Sequence, residues 1–303
     1  MFEIKSIKTD VENVIELKDT LTKTKARINL NYGACLESLF IQGTEIISNL
    51  ILLDQKYPYP SSILFPFANR INKGEYDYEG YHYSLPCNEK SPNNAIHGLV
   101  YDKPFILCEM EALENFAEIK IIFEEMNPIA SYPFQFRMQL CYKLTKDKLS
   151  FKINITNLGS KKLPFTLGWH PYFRSINLSK SYIKFSSTKK IKCNTNKITV
   201  AIEEFNSEMP LCLNNKAFDD AFILDDSSIE FYTPQYDMTL TSSEKENFLQ
   251  LYTPDNTNAI AIEPMTGVSD SFNNKIGLKE LSPGKSYDIE WLTKVKVKHI
   301  IRD

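Results

Sequence analysis

Apolar and polar residues alternate with a period of two wherever the pattern along the chain is clear. In "FRMQLCYKL" (136–144), Phe136, Met138, Leu140, Tyr142 and Leu144 share one face, and Arg137, Gln139 and Lys143 the other. "TKDK" (145–148) turns the chain, and Leu149, Phe151, Ile153 and Ile155 then point inward again, which predicts a hairpin. The same alternation marks "AEIKIIFEE" (117–125) and "SYDIEWLTKVKV" (286–297), where Tyr287, Ile289 and Trp291 fall together. Helical periodicity is confined to short stretches, such as the residues after "SPNN" (91–94). The 19 Phe and 16 Tyr suit strands better than helices. These patterns predict an all-β protein, a large antiparallel sandwich or barrel. No linker-like composition interrupts residues 1–303, so a single domain is expected.

Charge and motifs narrow the chemistry mainly by exclusion. The net charge is −3 with both signs mixed along the chain, which offers no basic face for nucleic acid. No apolar run approaches the roughly 20 residues of a membrane helix. The N-terminus alternates charged and apolar residues without an apolar signal core, so a cytoplasmic protein is expected. Six cysteines lie far apart with no CxxC, which predicts reduced thiols and neither a zinc ribbon nor a redox pair. There is no GxGxxG, GxSxG or HExxH. Gly284-Lys285-Ser286 resembles the tail of a phosphate loop, but Lys279 stands where the first glycine belongs and a strand follows. It reads as a turn, and no cofactor is implied.

Three stretches rise above this background. "FPFANRINKGEYDYEGYHYSLPCNEKSPNNAIHG" (65–98) contains Asn69-Arg70 and ends on His97, with Gly74 and Gly80 at turn positions. "TLGWHPYF" (166–173) packs aromatic residues around His170, and "NAIAIEPMTGVSDSFNN" (258–274) places Glu263 after the apolar run Ala259 to Ile262. A carboxylate on a buried strand is costly unless it is paired, protonated or used. Read alone, Glu263 fits either a functional acid or a salt bridge to an arginine at the core edge. His170 fits a core residue or a proton carrier, while Arg70 and His97 fit surface loop positions equally well. "FDDAF" (218–222), with its paired acids, reads as a solvated turn.

Taken in order, these stretches resemble the aldose 1-epimerase (galactose mutarotase) family. The elements are Ala68-Asn69-Arg70-Ile71, Gly74, Gly80, His97-Gly98, Gly168-Trp169-His170-Pro171-Tyr172-Phe173, Asp219 to Phe222, Glu263-Pro264 and Asp270-Ser271-Phe272-Asn273. The resemblance implies a galactose mutarotase-like antiparallel β-supersandwich. It assigns the catalytic acid and base to His170 and Glu263, with His97 assisting. Arg70 and Asp219 would bind sugar hydroxyls with help from Asn69. It implies a small-molecule sugar as substrate, no metal or other cofactor, and a monomer or homodimer. Trp169 stands where the best-known galactose mutarotases carry Asn, and one glycine rather than two follows His97, so the chain looks like a shorter bacterial branch.

The implied chemistry suits the residue types. Opening a hemiacetal needs one group to take the C1 hydroxyl proton while another protonates the ring oxygen. Glutamate and histidine, with ordinary pKa values of about 4.3 and 6.5, can hold opposite protonation states near neutrality. Packing by Trp169, Tyr172 and Phe173 is expected to hold the His170 ring and exclude water. Three other readings compete. A hexose 6-phosphate mutarotase would need extra cations, yet arginines occur only at 27, 70, 137, 174 and 302. A non-catalytic carbohydrate-binding protein would not need the proton-transfer pair. His97, His170 and Glu263 could instead form a His₂Glu zinc site.

Overall fold

The computed structural model describes residues 1–10, 12–48, 59–214, 216–255 and 257–298. Arg302 lies outside the described residues. Two large antiparallel sheets dominate. The first has nine strands among the described residues, in the spatial order Ile106–Ala112, Phe116–Glu125, Phe136–Thr145, Lys148–Asn157, Ser286–Val297, Tyr236–Ser242, Ser228–Tyr232, Tyr182–Phe185 and Leu211–Cys212. The second runs Phe2–Lys8, Asn13–Asp19, Thr24–Asn29, Cys35–Ile41, Thr44–Ile47, Tyr172–Arg174, Ala259–Met265, Asn247–Tyr252, Asp219–Leu224, Lys189–Cys193 and Thr199–Glu204. Gly168–Trp169 and Ile63–Leu64 attach to it beside Ala259–Met265.

The period-two pattern generates this arrangement directly. Met138, Leu140, Tyr142 and Leu144 are buried, and the hairpin partner contributes Leu149, Phe151, Ile153 and Ile155 to the same core. The register puts Tyr142 opposite Phe151 and Phe151 opposite Trp291. Their rings form a ladder: Tyr142 stacks on Phe151 at 4.3 Å and 7°, and Phe151 lies 6.1 Å from Trp291. Trp169, from the other sheet, covers the ladder, 5.5 Å from Phe151 and stacked on Trp291 at 6.3 Å. Cross-strand aromatic pairs of this kind add to what area burial alone supplies. They clamp one sheet to the other at the residue next to His170.

Two local expectations are corrected. The residues after "SPNN" do not form a helix: Ala95–Ile96 is a short strand paired with Arg70–Ile71. Pro92 restricts the chain before it, and Asn93 is left-handed at φ 69°, which ends any helical start. "FDDAF" is not a solvated turn either, because Asp219–Leu224 is a strand inside the large sheet. Phe222 and Leu224 enter the main core and Ala221 is buried on the opposite face, while Asp220 pairs with Lys190 at 2.5 Å. The described α-helix is a single turn, Ser271–Asn274. All six cysteines are free. Among the described residues no helix is long and apolar enough to cross a membrane.

The aromatic clamp is testable. Phe151→Ala removes a fully buried ring that contacts both sheets and should cost about 3–5 kcal/mol of stability. Equilibrium denaturation measures this; a loss below about 1 kcal/mol would show that the ladder does not hold the sheets together.

Candidate functional site

The site grows on the face of the large sheet that points away from the aromatic core. Every residue of Ala259–Met265 is buried, so both faces of this strand are covered. Ile260 and Ile262 enter the main core. Alternation sends Ala259, Ala261 and Glu263 to the opposite face, where both alanines pack with Tyr172 and Tyr252. Register then places the neighbours. Gln250 lies directly opposite Glu263, Tyr172 and Tyr252 flank Ala261, and Asp219 lies opposite Tyr252. His170 follows the two-residue strand Gly168–Trp169, and its backbone is pinned on both sides. Its N–H donates to Ser62 O at 3.0 Å, and its carbonyl accepts from Ser61 N at 2.8 Å.

Two left-handed corners cover this floor. Asn69 (φ 59°) and His97 (φ 63°) face each other, with His97 N–H donating to Asn69 O at 2.9 Å. Gly98 continues the turn at φ 77°, and a Cβ there would meet Phe65 O at 2.1 Å, so only glycine fits. Asn88 fixes the residue before His97 by accepting from Ile96 N at 2.8 Å and donating to Ile96 O at 3.0 Å. The Asp270 to Asn273 motif anchors the other corner from behind. Asp270 N–H donates to Arg70 O at 2.6 Å, and its carboxylate accepts from Asn72 N at 2.9 Å and Asn273 Nδ2 at 2.8 Å.

These residues enclose a cavity of about 480 Å³, lined among the described residues by all six site residues expected from the sequence. At its floor His170 Nε2 stands 3.4 Å from Glu263 Oε1, with both side chains nearly fully buried. Burial pushes the Glu263 carboxyl well above its usual range, helped by the Asp219 charge and opposed by Arg70. Burial pulls His170 down to about 4, opposed by a backbone hydrogen bond. His97 is lowered further by burial and by the neighbouring His170 and Arg70. Burial thus disfavours the charged form of each partner, which favours protonated Glu263 beside neutral His170.

Both histidines also carry a buried Nδ1 without a hydrogen-bond partner. Their rings meet edge to face at 5.2 Å, Tyr172 lies 4.9 Å from His170, and Tyr59 lies 4.7 Å from His97. Beside them a polar chain crosses the cavity wall. Arg70 Nε contacts both Glu89 carboxylate oxygens at 3.0 Å, and its Nη1 donates to Asn69 Oδ1 at 3.1 Å. Asn69 Nδ2 then donates to Gln250 Oε1 at 3.2 Å and Gln250 Nε2 to Asp219 Oδ1 at 3.2 Å, while Lys197 Nζ closes on Asp219 at 2.7 Å.

The local alternatives resolve against the surface readings. His97 is 7% exposed, and Glu263 pairs with His170 rather than an arginine. The expected wrapping of His170 is corrected: Trp169 and Phe173 belong to the core on the other face, and Tyr172, His97 and the Ser61–Ser62 backbone hold the histidine. Among the described residues no group of three or more His, Cys, Asp or Glu is arranged to hold a metal ion. Sequence reasoning missed Gln250, Glu89, Asn88, Tyr59 and Tyr252. Gln250 did carry a signal, because it interrupts the apolar run "NFLQLY" as Glu263 interrupts "AIAIE".

The depressed histidines make a stability prediction. The unfolded chain binds protons from pH 6.5 downward, whereas folded His170 resists them until about 4, so its contribution is present above 6.5 and lost on acidification through that window. The raised Glu263 acts with the opposite sign in both proteins and largely cancels in a comparison. His170→Asn should therefore gain stability relative to wild type as pH falls from 6.5 to 4. Denaturation midpoints measured across that range check this, and parallel curves would contradict it.

Comparison with known proteins agrees with the architecture. The sequence profile of the aldose 1-epimerase family matches residues 13–293. The YihR protein of Escherichia coli (strain K12) is 25% identical over 269 residues, covering 84% of this chain and 85% of its own length. The galactose mutarotase of Pongo abelii is 31% identical over 154 residues, 48% of this chain and 43% of that protein. A galactose mutarotase-like protein from Clostridium acetobutylicum superposes with a TM-score of 0.87 at 18% identity, covering 98% of this chain and 99% of its own. The galactose 1-epimerase of Lactobacillus acidophilus NCFM gives 0.81 at 15% identity, covering 99% of each chain. The two sheets therefore form a galactose mutarotase-like β-supersandwich. With its profile spanning nearly the whole sequence, the chain belongs to the aldose 1-epimerase family.

Proposed function

We propose that the protein interconverts the α and β anomers of an uncharged aldohexose, of the glucose or galactose type, by general acid–base ring opening without a cofactor. The observation that carries this reading is the buried His170–Glu263 contact at the floor of a sugar-sized cavity. In the ion-pair form of the shared proton, Glu263 takes the proton of the C1 hydroxyl and His170 protonates the ring oxygen. The ring opens, C1–C2 rotates, and closure on the other carbonyl face reverses both transfers. The enzyme ends in its starting protonation state. His97, held neutral by burial, lines the cavity and assists by packing edge to face on the His170 ring at 5.2 Å.

Arg70, Asn69 and Asp219 orient the sugar. The pairing of Arg70 with Glu89 and of Lys197 with Asp219 leaves no uncompensated cation on this wall among the described residues, which favours neutral hexoses over hexose 6-phosphates. A purely carbohydrate-binding protein is the weaker reading, because a buried acid–imidazole pair is costly and binding alone does not need it. The chain is read as a single catalytic domain over residues 1–303 that acts as a monomer or homodimer. Six free thiols suit a reducing compartment such as the cytoplasm.

Polarimetry of freshly dissolved α-D-glucose or α-D-galactose tests the activity. Glu263→Gln keeps the shape but cannot accept the proton, so kcat should fall about 10²–10⁴-fold with binding nearly intact. A variant that mutarotates at the wild-type rate would end the assignment. The pH profile is a second check. Burial displaces both limbs outward, so kcat/KM should stay flat through neutrality and decline on the acid side only near 4, where His170 gains a second proton for the pair. An acid limb at the ordinary imidazole value of 6.5 would show that the pair does not titrate as a unit.

A further inference from the structure

We infer that Glu89 sets the charge of the sugar this cavity accepts: by occupying Arg70 it excludes anionic aldoses and leaves the guanidinium only for neutral hydroxyls. The inference rests on the mutarotase reading and adds a specificity residue to it. A guanidinium has five N–H bonds, and an unpartnered arginine uses two of them as a fork for a carboxylate or phosphate. Here that fork is already filled. Nε contacts Glu89 Oε1 and Oε2 at 3.0 Å each, Nη2 donates to Oε1 at 2.8 Å, and Nη1 donates to Asn69. Two N–H bonds remain, enough to orient hydroxyls.

Glu89 is itself built into place. Its backbone pairs with Asn94 in both directions, at 3.1 and 3.2 Å, and Asn94 Nδ2 donates to Oε2 at 3.0 Å. The Arg70 and Glu89 side chains are each 17% exposed, so their charges are screened less than surface charges. Among the described residues the cavity is lined by the carboxylates of Glu89 and Asp219, by Glu263, whose charge burial disfavours, and by the single guanidinium of Arg70. Lys197, the nearest further cation of this network, is taken by Asp219. An anionic sugar would meet two fixed carboxylates and no open cation.

Glu89→Gln removes the charge and keeps the shape. Anomer exchange by NMR at low ionic strength is measured for glucose, glucuronate and glucose 6-phosphate. In wild type, kcat/KM for the two anionic sugars should lie at least tenfold below glucose. In the variant KM should fall tenfold or more for the anionic sugars, and should rise severalfold for glucose, because Arg70 loses its brace. The gain should shrink as salt is added. A purely structural role predicts that all three sugars worsen together, and that result overturns the inference, as does a wild type that turns over the anionic sugars as well as glucose. If wild type mutarotates no sugar, the proposed function fails, yet calorimetric titration with the same three sugars still decides this point. Tighter binding of the anionic pair to Glu89→Gln supports it, and an unchanged preference overturns it.

Discussion

A carboxylate and an imidazole lie 3.4 Å apart where neither can carry an isolated charge cheaply, and the rest of the site is built to keep them there. Moving a lone ion from water to an interior costs several kcal/mol even after relaxation. Burial favours protonated Glu263 beside neutral His170, a pair that avoids most of that cost because neither partner is charged. The arrangement is demanding: the contact must stay short, water must stay out, and each partner must remain able to hold the proton. Those demands fall on different parts of the fold. The fully buried strand Ala259–Met265 fixes Glu263, while the aromatic clamp at Trp169 and the Ser61–Ser62 backbone fix His170 from two sides.

Neutrality extends to the wall. Arg70 and Lys197 are each matched by a carboxylate, and two amides, Asn69 and Gln250, connect the pairs. Amides relay hydrogen bonds without adding charge, so the wall holds polar groups in fixed directions while its cations stay matched.

Much of this was legible in the sequence because a strand's period of two is rigid. The alternation in 136–144 and 286–297 gave the core faces correctly, and the apolar run before Glu263 already implied a buried acid. What was not legible depended on which face a neighbour takes. Trp169 and Phe173 adjoin His170 in sequence but point into the opposite layer, so proximity in the chain misled about packing. Asp219 sat in an apparent turn because two adjacent acids look solvated, although both belong to a strand, Asp220 pairing with Lys190 and Asp219 lining the cavity. Glu89 and Asn88 lay in a loop rich in polar residues, and nothing local distinguishes a brace from a surface charge. Their roles exist only once Ala95–Ile96 pairs with Arg70–Ile71.

The motif around Asp270 shows how far such bracing reaches. Asp270 does not line the cavity, yet its backbone N–H and carboxylate hold Arg70 and Asn72, and Asn273 ties the carboxylate in turn. Asn69 and Asp270 both adopt left-handed backbone, which costs a non-glycine residue about 1 kcal/mol or more and persists only where the surroundings fix it. Asn and Asp tolerate that conformation best, because their short side chains bond locally. His97 is left-handed as well, and there Asn88 supplies fixing bonds to the preceding residue, Ile96. The left-handed corners at Asn69 and His97 are therefore held by hydrogen bonds among the residues that line the cavity and their neighbours.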